Sequence, residues 1–261
     1  KDGKSMDDIF PVWSFMLFQP EHAPQPHCLN RILLRWCEVN CDFIRSQVLK
    51  DTLYYRRTPM VNIDLSIPVM TGDDIFASRF NMYYRQLARA GFNYARARLY
   101  PQAVRQYYYA ASQGFPFNGF ELVQTFEATY CKKPVISLYY DRYEFTGGAH
   151  GTTTRTGNTW NTERGVMLSL RDLFKPGYDY KDTILRVVER DARHRQATGQ
   201  VQYLDNLSEN IGKYYDDRNY YLSENGIVIF YPLYTIAPYA AGIQTFTVPW
   251  IVFGDNLVIS Q

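Results

Sequence analysis

The sequence predicts an α+β protein, a mostly antiparallel sheet packed with helices in two intertwined subdomains. Three observations predict it. Strand-like runs cluster between turn residues instead of alternating strictly with helices, which disfavours a parallel βαβ layout. Two long segments carry apolar stripes at helical period. The 261 residues are 46% hydrophobic and 16% aromatic, enough for a core that needs no metal or disulfide to form, and too apolar for a disordered chain. Tyrosine, at 23 residues, is the unusual component.

Residues 1–50 hold Pro11, Pro20, Pro24 and Pro26 without a steady period, and read as an irregular arm with a short helix over 29–39. Residues 51–130 read as a helix-rich subdomain and 131–261 as a sheet-rich one. From Val61 to Ile67 apolar and polar residues alternate as in a half-buried strand, closed by Pro68 and the Thr71–Asp74 turn. Asp73 or Asp74 then caps a helix with Phe76, Phe80, Tyr83, Leu87, Gly91 and Tyr94 on one stripe. Pro101 kinks or ends it, and a second segment with Ala103, Val104, Tyr107, Tyr108 and Ala111 inward runs to Gly114. Strands are expected over 122–130, 135–145 and 152–161; adjacent tyrosines such as Tyr139 and Tyr140 point to opposite faces, one buried and one presented. Ser169 caps a short helix, Asp179 opens a longer one to about residue 196, and a shorter one covers 204–214. A hairpin over 220–230 turns at Asn225-Gly226, and Ile243 to Phe253 supply the last strand.

Twenty-eight basic against 26 acidic residues leave +2, too little for affinity built on phosphate neutralisation. The arginine row Arg79, Arg85, Arg89, Arg96, Arg98 and Arg105 has no acid between Ile75 and Phe120, but Arg85, Arg89 and Arg96 lie opposite the apolar stripe and read as a solvated back face, so no nucleic-acid partner is expected. The uncharged stretch 225–254 is interrupted by Pro232, Pro238 and Pro249 and reads as buried sheet rather than a membrane span. The chain starts at Lys1 without a basic-then-apolar leader, as expected if a signal peptide was removed or never present. Cys28, Cys37, Cys41 and Cys131 leave open disulfides, buried thiols, or a zinc site with His22 and His27; the spacing is not that of a zinc ribbon, so no metal is expected.

Three glycines around His150 (Gly147-Gly148-Ala149-His150-Gly151) permit tight backbone geometry and ligand access. A general base there would need an orienting acid, for which Asp141, Glu144 and Glu163 are the candidates along the chain. Nucleophile-elbow, zincin, phosphate-loop and dinucleotide-binding motifs are absent, and the pairs Asp73-Asp74 and Asp216-Asp217 read as caps. No catalytic residue and no cofactor are therefore assigned. The segment 231–242 combines Pro232 and Pro238 with Tyr234 and Tyr239, the composition of a preorganised binding loop or of a buried connection. His150, Gly148, Pro232, Tyr234, Pro238 and Tyr239 are the expected binding residues.

Ser137-Leu138-Tyr139-Tyr140, Tyr143, the His150 glycine loop, Leu168-x-Leu170-x-Asp172-Leu173-Phe174, Tyr220-Tyr221-Leu222 and Ile236-Ala237-Pro238-Tyr239-Ala240-x-Gly242 occur in order. Together, over about 61–252, the chain resembles the extracytoplasmic domain family of the bacterial anti-sigma factor RsiV, a family of unknown function that also precedes the catalytic domain of the peptidoglycan deacetylase PdaC. The resemblance implies a non-enzymatic, extracytoplasmic recognition module that binds a lysozyme-like muramidase or another envelope protein. A peptidoglycan-binding accessory domain and a hydrolase centred on His150 are the alternatives, and a cytoplasmic relative with free thiols would read the same. The +2 charge offers no long-range steering toward a basic lysozyme.

Overall fold

The structure is a computed structural model that describes residues 41–259. The expectations for residues 29–39, for Cys28 and Cys37, and for His22 and His27 lie outside the described residues.

Two sheets and two helical layers build the α+β fold. The first sheet has six strands in sequence order: β1 (Ile44–Tyr55), β2 (Thr58–Met70), β3 (Phe120–Lys132), β4 (Val135–Phe145), β5 (Thr152–Asn161) and β6 (Val166–Leu168). All neighbours are antiparallel except β2 and β3, which are parallel and joined by the helical crossover α1 (Ile75–Tyr94) and α2 (Tyr100–Gln113). The second sheet is antiparallel, β7 (Tyr220–Ser223), β8 (Gly226–Tyr231) and β9 (Gln244–Pro249). It packs against α3 (Tyr180–Ala197) and α4 (Leu207–Lys213).

Local chemistry accounts for these elements. The Asp74 carboxylate accepts from the Ala77 N–H, 2.7 Å, and caps α1. Pro101 cannot donate to the helical ladder, and the turn before it, Ala95–Leu99, winds as a π-helix that carries the chain into α2 without a break. Ser169 and Asp172 form a capping box, and Asp179 caps α3. Ile63, Leu65 and Ile67 of β2 and Leu122, Ile136 and Leu138 of β3 and β4 bury against Phe76, Phe80, Tyr84 and Ala88 of α1. Trp160 of β5 joins them and donates its indole N–H to the Tyr84 hydroxyl, 3.2 Å.

The opposite face of the six-stranded sheet meets β7. The crossing point is Gly157 of β5, where a Cβ would lie 1.8 Å from the Tyr220 carbonyl oxygen. Beside it, the Ser137 hydroxyl of β4 accepts from the Leu222 N–H (2.9 Å) and hydrogen-bonds Thr159 (2.9 Å), so a fully buried serine joins the sheets. Cys41 and Cys131 form a disulfide between residues 90 apart, which settles the cysteine question for those two. Closing a loop of that length in the unfolded chain is worth about 4–5 kcal/mol on the chain-entropy account.

The structure differs from expectation at several points. Strand β1 starts at Ile44, inside the segment read as an arm; as an exposed edge strand it carries Arg45, Ser46, Gln47 and Lys50 and lacks a clean alternation. The first sheet runs past residue 131 to Leu168, because β3 pairs with β4 whatever the helix content before it. The α1 core stripe is centred on Ala77, Tyr84 and Ala88, leaving Tyr94 at 38% exposure. Tyr108 is exposed because α2 packs through Ala103 and Ala110. Tyr139 and Tyr140 point to opposite faces as expected, but Tyr139 is half-buried against Tyr221 rather than presented, and Tyr220 and Tyr221 are both buried, since β7 has a covered surface on each side. The β7–β8 turn residues are Glu224 and Asn225; Ser223 pairs with Gly226, whose φ of 156° fits β9 passing close above it. The last strand ends at Pro249 in a 3-10 turn from Trp250.

Replacing Gly157 by Ala forces β7 off the sheet, and a fall in stability on the order of 3 kcal/mol is expected in denaturant titration; an unchanged midpoint contradicts the crossing geometry. Burial holds Tyr84, Tyr220 and Tyr231 protonated far above the phenol range, and Tyr180 is pushed up to about 12 by burial and by its hydrogen bond to Asp217. Unfolded tyrosines ionise near pH 10 and these do not. Their stabilisation is thus complete below about pH 10 and falls as pH rises above it, the Tyr180 contribution being lost through about 12. Melting temperature followed from about pH 9 to about pH 12 should fall steeply, with tyrosinate absorbance appearing at the unfolding transition.

Candidate functional site

The two loops singled out by composition meet in space. The β4–β5 loop carries Gly148, Ala149 and His150, all exposed, and the β8–β9 loop carries Pro232, Tyr234, Pro238 and Tyr239. The His150 imidazole stacks on the Tyr239 ring with centroids 3.8 Å apart at 20°, and the Tyr234 ring lies 5.6 Å from Tyr239 at 31°. Three rings thus pack into one slab, in which Tyr234 is 56% exposed.

The slab is held from beneath. The Tyr239 hydroxyl donates to the Gly151 carbonyl, 2.9 Å, and His150 Nδ1 lies 3.0 Å from the same oxygen. A carbonyl only accepts, so Nδ1 is the donor in this contact, and Nε2 lies 3.5 Å from the Tyr234 hydroxyl. Gly151 is buried, and a Cβ there would meet the Tyr143 ring at 2.4 Å, so its carbonyl reaches the loop only because it has no side chain. Ile236 and Ala237 are buried and the Ile236 carbonyl accepts from the Leu204 N–H, 2.9 Å, which anchors the second loop in the core. Tyr234 itself sits at φ 64°, a left-handed conformation that costs a non-glycine residue about 1–2 kcal/mol and that its loop over-determines.

Of the expected residues, the structure brings His150, Tyr234 and Tyr239 into contact. Pro232 and Pro238 flank them at the surface, and Gly148 lies exposed beside His150 with nothing near it that demands glycine. The candidate acids go elsewhere. Asp141 takes two hydrogen bonds from Arg155, 2.8 and 2.7 Å. Glu144 neighbours Tyr94 and helps raise its pKa after burial, and Glu163 borders a different depression beside Phe43 and Met70. Among the described residues no cluster of metal-ligating side chains occurs.

Sequence reasoning missed a polar strip on the face of the six-stranded sheet that meets β7. Arg155 lies over the Tyr139 ring, 3.8 Å, and the Tyr139 hydroxyl donates to Glu127. Burial first, then that hydrogen bond, pushes the Tyr139 phenol well up. Glu127, Tyr139, Asp141 and Arg155 project together because β3, β4 and β5 align Glu127 with Tyr139 and Asp141 with Arg155. Period-two spacing on each strand was visible, but strand register was not. A Cβ on Gly147 would lie 3.5 Å from the Phe120 ring and 4.0 Å from Gln106, so the start of this loop passes close to β3 and α2.

Two family models match the chain side by side. Residues 56–153 match the family described as deacetylase PdaC, and residues 171–251 match a family of unknown function, DUF3298. His150 falls in the first and Tyr234 and Tyr239 in the second, so the ring slab is assembled across both. Among solved structures, the chain is similar to a DUF3298-family protein of Bacteroides fragilis, with 18% identity, a TM-score of 0.59, and 82% of this chain and 92% of that one covered. A DUF3298-family protein of Pseudomonas aeruginosa is similar at 16% identity and a TM-score of 0.54, covering 82% of this chain and 93% of that one. These likenesses establish the α+β fold. No curated protein matches the sequence.

Tyr239→Phe removes only the bond to the Gly151 carbonyl, whereas Tyr239→Ala removes the ring that contacts both His150 and Tyr234. The expected outcome is a loss of about 1 kcal/mol or less for the first and a larger loss for the second, accompanied in NMR by ring-current shifts of the His150 imidazole protons only in Tyr239→Ala. Unshifted imidazole protons there would contradict the stacked slab.

Proposed function

We propose that this chain is a non-enzymatic recognition module of the cell envelope that binds a protein ligand, a lysozyme-like muramidase being the leading one, through the His150–Tyr239–Tyr234 slab. The observation that carries the reading is the slab itself: exposed aromatic rings, preorganised by hydrogen bonds and a strained backbone, on loops anchored in a rigid core. Rigid aromatic side chains present contact area at low entropic cost, which is how interface anchors work. A catalytic reading is weaker, because the polar partners of His150 are a carbonyl and a tyrosine hydroxyl, and Asp141 is engaged by Arg155. An extracytoplasmic location is supported by the Cys41–Cys131 disulfide, since such bonds persist in oxidising compartments.

A second reading, peptidoglycan or glycan binding, is favoured by one observation. The polar strip of Glu127, Asp141 and Arg155 lies beside the half-buried Tyr139 ring, and sugars are bound by ring stacking plus charged hydrogen-bonding groups. Muropeptides would then quench tyrosine fluorescence.

Calorimetric titration of the full chain with lysozyme is expected to give a Kd of about 1 μM or tighter. Tyr234→Ala, exposed and outside the core, should weaken binding about tenfold or more with an unchanged melting temperature. No heat at high micromolar concentrations removes lysozyme as the ligand, and quenching by muropeptides alone, lost in Tyr234→Ala, moves the site to the glycan reading.

A further inference from the structure

Strand β1 lies at the edge of the six-stranded sheet, and over 12 residues no strand pairs with its outer side among the described residues. On that edge the Thr52 N–H bonds the adjacent Asp51 carboxylate, 2.9 Å, in place of a strand. With two-residue periodicity, Val48 and Lys50 present their backbone groups on the same outer side.

A groove runs along this edge. It has a volume of about 640 Å³ and lies between β1, which contributes Leu49 and Asp51, and α1, which contributes Arg85, Arg89 and Phe92, with Arg96 at one end. Arg96 is held by Asp51 at 3.0 Å. Arg85 and Arg89 are in no ion pair among the described residues. A second depression of about 390 Å³, bounded by Ser78, Asn81 and Met82, continues past the same two arginines. From Ser78 to Arg96 the helical rise is about 27 Å, the length of an extended peptide of about eight residues.

The charge on this wall is one-sided. Residues 75–119 contain six arginines and no acidic residue, although the whole chain carries only +2. A groove between an edge strand and a helix is the geometry in which an extended segment adds to a sheet, its backbone pairing with the edge and its side chains read by the helix. We propose that the β1–α1 groove is a docking site for an extended acidic peptide segment of a partner protein, added as a strand on β1 with its carboxylates against Arg85 and Arg89. The site is separate from the ring slab and its residues are not used there.

The test uses the full chain and a fluorescein-labelled peptide of alternating glutamate and valine, about eight residues long, read by anisotropy. Saturable binding that weakens with salt is expected, and Arg85→Glu with Arg89→Glu, both exposed, should reduce it about tenfold or more. N-methylation of every second peptide residue leaves the protein untouched; in one phase it should abolish binding and in the other leave it intact. The proposal is overturned if the arginine variant binds equally, if both methylation phases behave alike, or if a lysine–valine peptide binds as well. It is also overturned if polyphosphate or an oligonucleotide competes better than the acidic peptide, or if the chain forms a concentration-dependent dimer lost in Val48→Pro, which would make the edge a contact between copies.

Discussion

The close approach of β7 to the six-stranded sheet is the contact on which the rest of the molecule depends. Two sheets packed by side chains alone lie about 10 Å apart; here a backbone carbonyl is in contact with a strand, at the one position in β5 that has no side chain, Gly157. The direct bond from Leu222 to Ser137 fixes the strand's direction as well as its height. Once β7 is fixed, β8 and β9 follow by pairing, and the loop between them is delivered to the end of β4 and β5, where His150 waits. The two loops are thus brought together by a buried seam made of a glycine, a serine and a threonine, and their own contacts, such as the bond from the Tyr239 hydroxyl to the Gly151 carbonyl, then hold them in place.

Much of this was legible from residues alone. The strands β3, β4 and β5, the caps Asp74, Ser169 and Asp179, and the β7–β8 hairpin follow from local pattern, because each is specified by a few adjacent side chains. What was not legible depends on partners distant in the chain. Edge strand β1 has polar residues on positions that a central strand would fill with apolar ones, so its pattern resembles a loop. The second buried tyrosine of the pair Tyr220 and Tyr221 requires knowing that β7 is covered on both sides. In the candidate site, His150, Tyr234 and Tyr239 were visible as unusual compositions in two loops, but their stacking is a property of the seam, and no local signal in either loop refers to the other. The strip of Glu127, Asp141 and Arg155 was hidden for the same reason, since its members sit on three strands whose register is set by pairing.

The tyrosine excess divides along the same lines. Tyr84, Tyr220 and Tyr231 are buried with a hydrogen-bond partner for each hydroxyl: the Trp160 indole, the Leu168 carbonyl and the Ile211 carbonyl. A phenylalanine in these places would fill the volume but leave those groups unpaired, which costs about 1–3 kcal/mol when the group is fully desolvated. Tyr139, Tyr234 and Tyr239 instead use the ring as a face and the hydroxyl as a tether. One residue type therefore serves both the core and the surface by exchanging which end is wet.

The Cys41–Cys131 disulfide has a mechanical corollary. Strands β1 and β2 and both helices of the crossover lie inside the covalent loop that it closes. Tension applied to the chain on the N-terminal side of Cys41 and at its far end passes through the sulfur atoms into the end of β3, next to Tyr130 and the seam, and bypasses everything between. The arginine-bearing helices and the edge strand would feel no pull while the bond is intact, and reduction would place them in series with the rest of the molecule.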